Sequence, residues 1–330
     1  MNAFTQTILH WYAQFGRDLP WRRTRDPYAV WLSEVILQQT RIAQGSAYWE
    51  RFLERFPTVE ALAEASEDEV LRLWEGLGYY SRARNLHAAA RQIAAQGAFP
   101  STLEGIRSLK GVGDYTAAAI GSICFGLPAA VVDGNVYRVL SRHFGIETPV
   151  GTASAKKAFT ALAQRLLPED EPAAFNQGMM DFGALQCTPQ NPDCLTCPLQ
   201  GSCHAFRTGR VDLLPMKKPS VAVQERHFGY VYVRFQGQTA LRRRGPGDIW
   251  QGLYEPLVAE AITPPAQADT FRVLRRGVKH QLTHRTLLAD FYLWEPGEQP
   301  QLPEGYFWIR EAELDRYAKP RLFTLLLQQL

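Results

Sequence analysis

The chain has 330 residues, which suits two domains of ordinary size. With 46% hydrophobic and 21% charged residues, each domain can bury a core, and wholesale disorder is excluded. No run approaches the roughly 18 uninterrupted apolar residues of a membrane span, and a net charge of +3 gives no bulk basicity. Any nucleic-acid surface must therefore come from local placement of charge. The opening segment MNAFTQTILHWYAQFGRDLPWRRTR lacks the basic start, apolar core and cleavage site of a signal peptide. A cytoplasmic protein is expected, nucleoid-associated in a bacterium.

Residues 1–210 read as helical. Apolar residues recur at helical spacing through AVWLSEVILQQTRIAQG, VEALAEASEDEVLRLWEGLG and RARNLHAAARQIAAQG. Ser101 and Glu104 form a capping-box pattern that places a helix start after Pro100. Residues 211–225 contain two prolines and no period, as a linker would. Beyond them HFGYVYVRF alternates like a half-buried strand, a QGQ turn leads to TALRRR, and TLLADFYLWE and GYFWIR read as further strands. The last fifteen residues are expected to form an amphipathic helix. The fold class is a mostly α region over 1–210 followed by a smaller α+β domain over 226–330.

Four features carry chemistry. Glu34 has Val30, Trp31 and Leu37 at its i−4, i−3 and i+3 positions, so it projects from an apolar stripe. Desolvation there raises a carboxyl toward the range of a general acid, unless Glu34 snorkels or pairs with an arginine. LKGVGDYTAAAI joins two helices through Gly111 and Gly113, with Asp114 able to cap the second. Exposed N–H groups at such a turn attract phosphate, although an ordinary helical hairpin has the same glycines. Asp133 stands where an apolar run ends and a helix begins, either as a plain N-cap or as a carboxylate kept ionised by the helix start. One protonated and one ionised carboxylate suit glycosidic cleavage through an oxocarbenium-like state.

The fourth feature is a cysteine window. Of five cysteines, an odd number unsuited to a disulfide framework, Cys187, Cys194, Cys197 and Cys203 are spaced C-x6-C-x2-C-x5-C. Four thiolates on unequal loops suit an iron–sulfur cluster, while a zinc ribbon usually shows two short pairs and only one is present. Cys124 reads as a buried core residue.

SEVILQQT, GLGYYSRARNL, LKGVGDYTAAAI, VDGNVYRVL and the four-cysteine window occur in this order. Together they resemble the adenine DNA glycosylases of the MutY type, within the helix–hairpin–helix glycosylase superfamily. The resemblance is strong over about residues 5–210 and weaker through IWQGLYEP and KHQLTHRTL. It implies a helix–hairpin–helix glycosylase fold, one 4Fe-4S cluster on the four cysteines, and a Nudix-like C-terminal domain. The implied substrate is double-stranded DNA containing A:8-oxoguanine or A:G mispairs, with a monomer as the simplest expectation.

Position by position, the resemblance makes Glu34 the acid that drives adenine departure. Asp133 becomes the stabiliser of the cationic sugar, with Asn135 in the same motif. Tyr115 stands where bifunctional relatives such as endonuclease III carry a Schiff-base lysine. Without that amine strand cleavage should be weak, and Lys110, across the hairpin, is a poor substitute. Gln39 and Tyr79, with Leu77 beside them, match the residues that fill the gap left by the extruded base. Simple packing is the other role open to Tyr79 or Tyr80. Arg22 and Gln177 match positions that contact the adenine. The 8-oxoguanine loop, usually Phe-Ser-His, reads Leu282-Thr283-His284, which keeps the hydroxyl and imidazole and loses the aromatic ring. The pyrophosphatase pattern of catalytic Nudix domains is absent. His280 and His284 at i, i+4 lack further ligands nearby, which argues against a metal.

Two other readings are open on these residues. One is an endonuclease III-like glycosylase/lyase on pyrimidine lesions, against which Tyr115 and the C-terminal domain weigh. The other is a DNA-binding protein without turnover, against which the pair Glu34 and Asp133 weighs.

Overall fold

The computed structural model describes residues 2–218, 224–261, 271–282 and 285–330. Its helices are α1 (Ala3–Phe15), α2 (Pro27–Ile36), α3 (Ile42–Arg55), α4 (Val59–Glu64), α5 (Glu67–Leu73), α6 (Ser81–Gln96) and α7 (Leu103–Ser108). They continue with α8 (Asp114–Phe125), α9 (Gly134–Phe144), α10 (Ala153–Leu166), α11 (Pro172–Asp181), α12 (His204–Arg207) and α13 (Arg321–Leu327). The strands are β1 (Gln224–Val233), β2 (Gln238–Arg243), β3 (Tyr254–Glu255), β4 (Leu257–Val258), β5 (Arg272–Gln281), β6 (Arg285–Trp294) and β7 (Tyr306–Arg310). Contacts divide the chain into two units: Met1–Ala63 with Ala88–Pro219, and Glu64–His87 with Ser220–Leu330. The helical segment Glu64–His87 thus packs with the C-terminal strands, a pairing that no local pattern announces.

In the first unit, α2 is buried on nearly every side, from Tyr28 through Ile36 with Glu34 as the half-buried exception. Asp26 caps it by accepting from the N–H groups of Tyr28 and Ala29, and Pro27 takes the first helical position, where no N–H is needed. The periodic stretch 29–45 is therefore two helices. The chain breaks at Gln39, whose φ is 55°, before α3 begins. The stretch 59–78 is likewise split, because Ser66 caps α5 by accepting from Glu69 N–H. Near residue 101 the cap is Thr102, accepting from Gly105 N–H, so α7 starts one residue later than the Ser101/Glu104 pattern predicts. Helices α7 and α8 meet closely: a Cβ on Gly121 would stand 2.8 Å from Leu103 Cδ2. The main core joins Ile8 and Trp11 of α1 to Val139, Phe159, Phe175 and Phe182.

The second unit holds two sheets, ordered β4-β1-β6-β5 and β3-β2-β7. Strands β1 and β6 run parallel along their whole length, and β5 pairs antiparallel with β6 down to Gln281↔Thr286. This hairpin carries the segment 282–285, of which Thr283 and His284 lie outside the described residues. The expected fifteen-residue terminal helix is shorter, Arg321–Leu327, because Pro320 stands at its N-cap and a 3-10 turn occupies Glu311–Arg316. Leu322, Phe323 and Leu326 close the core over Tyr230 and Phe291.

Phe159 is fully buried, and truncating such a ring costs about 3–5 kcal/mol. Phe159→Ala is expected to lower the urea midpoint accordingly. An unchanged midpoint would mean the ring carries no core packing.

Candidate active site and cluster loop

One pocket of about 650 Å³ in the first unit gathers Arg22, Glu34, Gln39, Tyr115, Asp133, Asn135 and Gln177. These seven residues come from six separate places in the chain and were each singled out in the sequence. Burial raises the Glu34 carboxyl to about 7; Tyr115, which hydrogen-bonds it, and Arg22 oppose the shift, and Asp133 adds to it. Glu34 is half-buried and, among the described residues, no arginine ion pair is seen at its carboxyl. The Tyr115 hydroxyl also meets Met180 Sδ at 3.4 Å, and burial holds the phenol well above its ordinary value.

Asp133 is the N-cap of α9. Its Oδ1 accepts from Val136 N–H at 2.8 Å and its Oδ2 from Asn135 Nδ2 at 2.8 Å. These donors favour the anion, as expected of a helix start. Burial nevertheless outweighs them and moves the carboxyl above its ordinary value. Asn135 is held in turn, since its Oδ1 accepts from Arg138 Nη2 at 2.8 Å.

Gln177, on α11, accepts from the Tyr12 hydroxyl through its side-chain oxygen, which orients the amide. Arg22 does not present a free fork to the pocket. It pairs with the fully buried Asp181 at 2.6 and 2.9 Å and donates to the Arg17 carbonyl at 3.1 Å. Asp181 also takes the backbone N–H and guanidinium of Arg17. Sequence inspection passed over Asp181, although a single acid in the apolar run MMDFGAL is a signal for a buried charge partner.

Gln39 stands exposed with a left-handed backbone. In the second unit, Tyr79 has φ 46° and is 47% exposed at the end of a turn that also holds Gly76 and Gly78 at positive φ. Tyr80 is buried beside it, while Arg82 lies over the Tyr79 ring at 5.6 Å. Leu77 is buried as well. Leu282 is half-buried and lines a different cavity.

At the hairpin, Gly111 has φ 77°, while Gly113 is extended and needs no special backbone freedom. Gly113 is itself the N-cap of α8, with no side-chain oxygen to offer, so the first N–H groups of α8 are left for an outside acceptor. Asp114 is the first residue of the helix and does not cap it. Its carboxylate pairs with Lys156 at 2.7 Å and Arg107 at 3.3 Å, and these pairs hold it below the usual carboxylate range.

The four cysteines of the window form no disulfide. Burial raises the Cys197 and Cys194 thiols, and the neighbouring thiols add to the effect. Four thiols on one short loop, free of disulfides, are a donor set that suits an iron–sulfur cluster. Two arginines of α9 finish the loop. Arg138 donates to the carbonyls of Cys187 (2.7 Å) and Gly183 (2.7 Å). Arg142 donates to those of Thr188, Pro189, Val211 and Leu214 and stands 3.5 Å from Cys187 Sγ. Cys124 lies apart, half-buried, its thiol pushed up to about 12 by burial.

Comparison with known proteins agrees with this arrangement. Residues 32–168 match the model of the HhH-GPD superfamily of base excision DNA repair proteins. Residues 187–203 match the iron-sulfur binding domain of endonuclease III, and residues 229–329 match a NUDIX domain. An adenine DNA glycosylase of Buchnera aphidicola (strain Sg) is 36% identical over 255 residues, 76% of this chain and 74% of that protein. A second, from strain Bp, is 32% identical over 87% of this chain and 85% of its own. The human adenine DNA glycosylase is 45% identical over 62% of this chain but only 40% of its own length. A thermostable thymine-DNA glycosylase superposes with a TM-score of 0.57 at 32% identity, over 62% of this chain and 95% of that one. A trapped endonuclease III–DNA covalent intermediate shares the fold, with a TM-score of 0.55 at 23% identity, over 62% of this chain and 94% of that one.

The fold and the pocket thus define a helix–hairpin–helix DNA glycosylase of base excision repair that carries a 4Fe-4S cluster and a Nudix-like domain. The chain belongs to the adenine DNA glycosylase family. Its enzymes hydrolyse an N-glycosyl bond, and a monofunctional reaction of this kind needs no amine nucleophile at Tyr115.

Raised to about 7, Glu34 ties stability to pH. Its neutral form fits the fold at no electrostatic cost below the unfolded carboxyl range, and that advantage is lost as pH rises through 7. Glu34→Gln is therefore expected to match wild-type Tm at pH 4 and exceed it at pH 8; equal Tm at both would contradict the shift. At the hairpin, Asp114→Asn frees Lys156 and Arg107 for phosphate. Duplex binding should tighten roughly two- to fivefold with a steeper salt dependence, measured by fluorescence anisotropy. Weaker binding would make Asp114 a support of the hairpin.

Proposed function

We propose that the chain removes adenine mispaired with 8-oxoguanine, and with guanine, from double-stranded DNA, acting as a monomer on the DNA of the cytoplasm or nucleoid. The observation that carries this is the Glu34 carboxyl, raised to about 7 in one pocket with Asp133. A flipped adenine enters that pocket, and protonated Glu34 delivers its proton to a ring nitrogen. The bond between the base and the sugar breaks with its electrons going to the purine. Asp133 faces the cationic sugar as an anion, and Asn135, anchored by Arg138, keeps that carboxylate in place. Water adds to the sugar carbon and gives its proton to the Glu34 carboxylate, which restores the acid and leaves an abasic site. Tyr115 has no amine to form an imine, so the strand stays intact.

Gln177, oriented by Tyr12, offers its amide N–H groups to the purine edge. The pairing of Arg22 with Asp181 makes it a fixed positive wall near Glu34 more than a mobile base contact. Gln39 and Tyr79, exposed on left-handed backbone, fill the vacated stack with Leu77 buried behind the turn. Backbone N–H groups around Gly111 and Gly113 take a phosphate, positioning the duplex without reading sequence. Leu282, with the hydroxyl of Thr283 and the imidazole of His284, reads the 8-oxoguanine.

The cluster bound by Cys187, Cys194, Cys197 and Cys203 would cross-link the loop that Arg138 and Arg142 already hold against α9. Its role is architectural: the residues that touch the reacting bond come from α2, α8 and the start of α9.

Single-turnover base release decides the matter, using duplexes with A:8-oxoguanine, A:G, A:T and oxidised pyrimidines, with and without alkali. Selective adenine release with alkali-dependent nicking is expected. Glu34→Gln should lower the rate about a hundred- to ten-thousandfold and leave duplex binding intact. Full activity in that variant, or alkali-independent cleavage at pyrimidine lesions, would overturn the proposal.

A further inference from the structure

Asp181 ends α11 and is fully buried, a charged group that touches neither the base nor the sugar in the chemistry above. Close packing of α11 on α1 sets its place. A Cβ on Gly178, one turn earlier, would stand 3.0 Å from Tyr12 Cβ and 3.1 Å from Ile8 Cγ2. Both carboxylate oxygens are engaged. Oδ1 accepts from Arg17 Nε at 2.8 Å and Arg22 Nη2 at 2.9 Å, and Oδ2 from the Arg17 N–H at 2.9 Å and Arg22 Nη1 at 2.6 Å. Arg22 therefore meets the carboxylate as a two-pronged fork, and its Nη1 also donates to the Arg17 carbonyl at 3.1 Å. The Tyr12 ring lies 5.7 Å from this guanidinium, whose side chain is only 11% exposed.

The cation so held lines the same pocket as Glu34. Glu34 is faced by Arg22 from the turn Pro20–Arg22, by Tyr115 and the Cys124 thiol from α8, and by Asp133 at the start of α9. Arg22 is the one cation among these groups. Burial raises the Glu34 carboxyl, and the pull of Arg22 works against it. Asp181 in turn is faced by Tyr12, Arg17 and Arg22. Two guanidiniums share its single carboxylate, so the cluster already carries one positive charge in excess. Without Asp181 the excess is two, and Arg22 loses the acceptor of its fork. A buried guanidinium in that state needs another anion, and Glu34 stands in the same pocket.

We propose that Asp181 is a positioning residue for the acid step: by gripping Arg22 in a fork it keeps that cation from closing on Glu34, and so leaves Glu34 with a proton to give. The use made of the proton rests on the function proposed above, whereas the control of Glu34 by Asp181 does not. A carboxylate that only tied α11 to the segment around Arg17 would support the fold and leave the acidity of Glu34 alone.

The alkaline limb of the single-turnover pH profile reads the proton on Glu34. In Asp181→Asn it is expected to fall by about one pH unit or more, the effect of an opposite charge closing on a carboxyl. The rate at pH 8 should then drop roughly tenfold further than the rate at pH 5. Arg22→Gln removes the cation, leaves Asp181 paired to Arg17, and should move the limb upward. A second readout needs no turnover. In the wild-type background the Tm advantage of Glu34→Gln grows with pH from the unfolded carboxyl range and levels at about 7. In the Asp181→Asn background it should level about one unit lower, and the stability cost common to both members of that pair cancels. Rates lowered equally at every pH, with limb and levelling point unmoved, would overturn the proposal and make Asp181 a structural tie. If Asp181→Asn does not fold, Arg22→Lys takes its place, because an ammonium keeps the charge and cannot fork. The limb should again fall, and an unmoved limb would sink the idea. A wild-type protein that releases no adenine from any duplex would refute the proposed function, while the Tm series would still decide whether Asp181 governs Glu34.

Discussion

Helix α9 holds the first unit's chemistry in place through two guanidiniums. The loop after α11 has almost no regular ladder, so its carbonyls need donors from elsewhere. Arg138 and Arg142, one turn apart, supply them. The same helix begins at Asp133, and Arg138 reaches back through Asn135 to that carboxylate. One rigid element therefore fixes both the cysteine loop and the anion of the pocket. Each buried guanidinium would be a heavy electrostatic cost alone. Here each is covered by several acceptors, which makes the helix and loop hard to separate.

A second buried charge does comparable work on the other side of the pocket. Asp181 is completely enclosed, yet two arginines and a backbone N–H surround it. Arg22 is thereby kept charged beside a carboxyl that burial tries to neutralise. The balance leaves Glu34 near 7, where a proton can be both held and given at ordinary pH. A freer Arg22 would approach Glu34 as an ion pair and pull it back toward an ordinary carboxylate.

Much of this was legible in the sequence. Glu34 interrupts an apolar stripe, Asp133 stands at a run-to-helix boundary, and the four cysteines crowd one window; all three signals are local. What periodicity could not show were the interruptions. Gln39 breaks a stretch whose apolar spacing continues through it, because a left-handed residue leaves no mark on hydrophobic pattern. Asp181 showed only as a lone acid in an apolar run, and Arg138 and Arg142 left no local mark as site residues, since each of the three acts across 45 to 164 positions of chain. The grouping of Glu64–His87 with the C-terminal strands is of the same kind: Arg243 pairs with Glu67 and Asp68 across the gap in sequence. The sign of the Asp133 shift also escaped, because a cap counts donors and says nothing of how deeply the carboxyl is enclosed.

The hairpin at Gly111–Gly113 has an implication for how such proteins change over time. Its acceptor-seeking groups belong to the main chain, so no side-chain replacement short of proline can remove them directly. Charged neighbours can come and go, even an acid such as Asp114, while the turn goes on offering the same N–H groups. Only residue 111, held at φ 77°, leaves little room for drift. An N–H-presenting turn is thus inherited as a shape, and the sequence around it is free to wander.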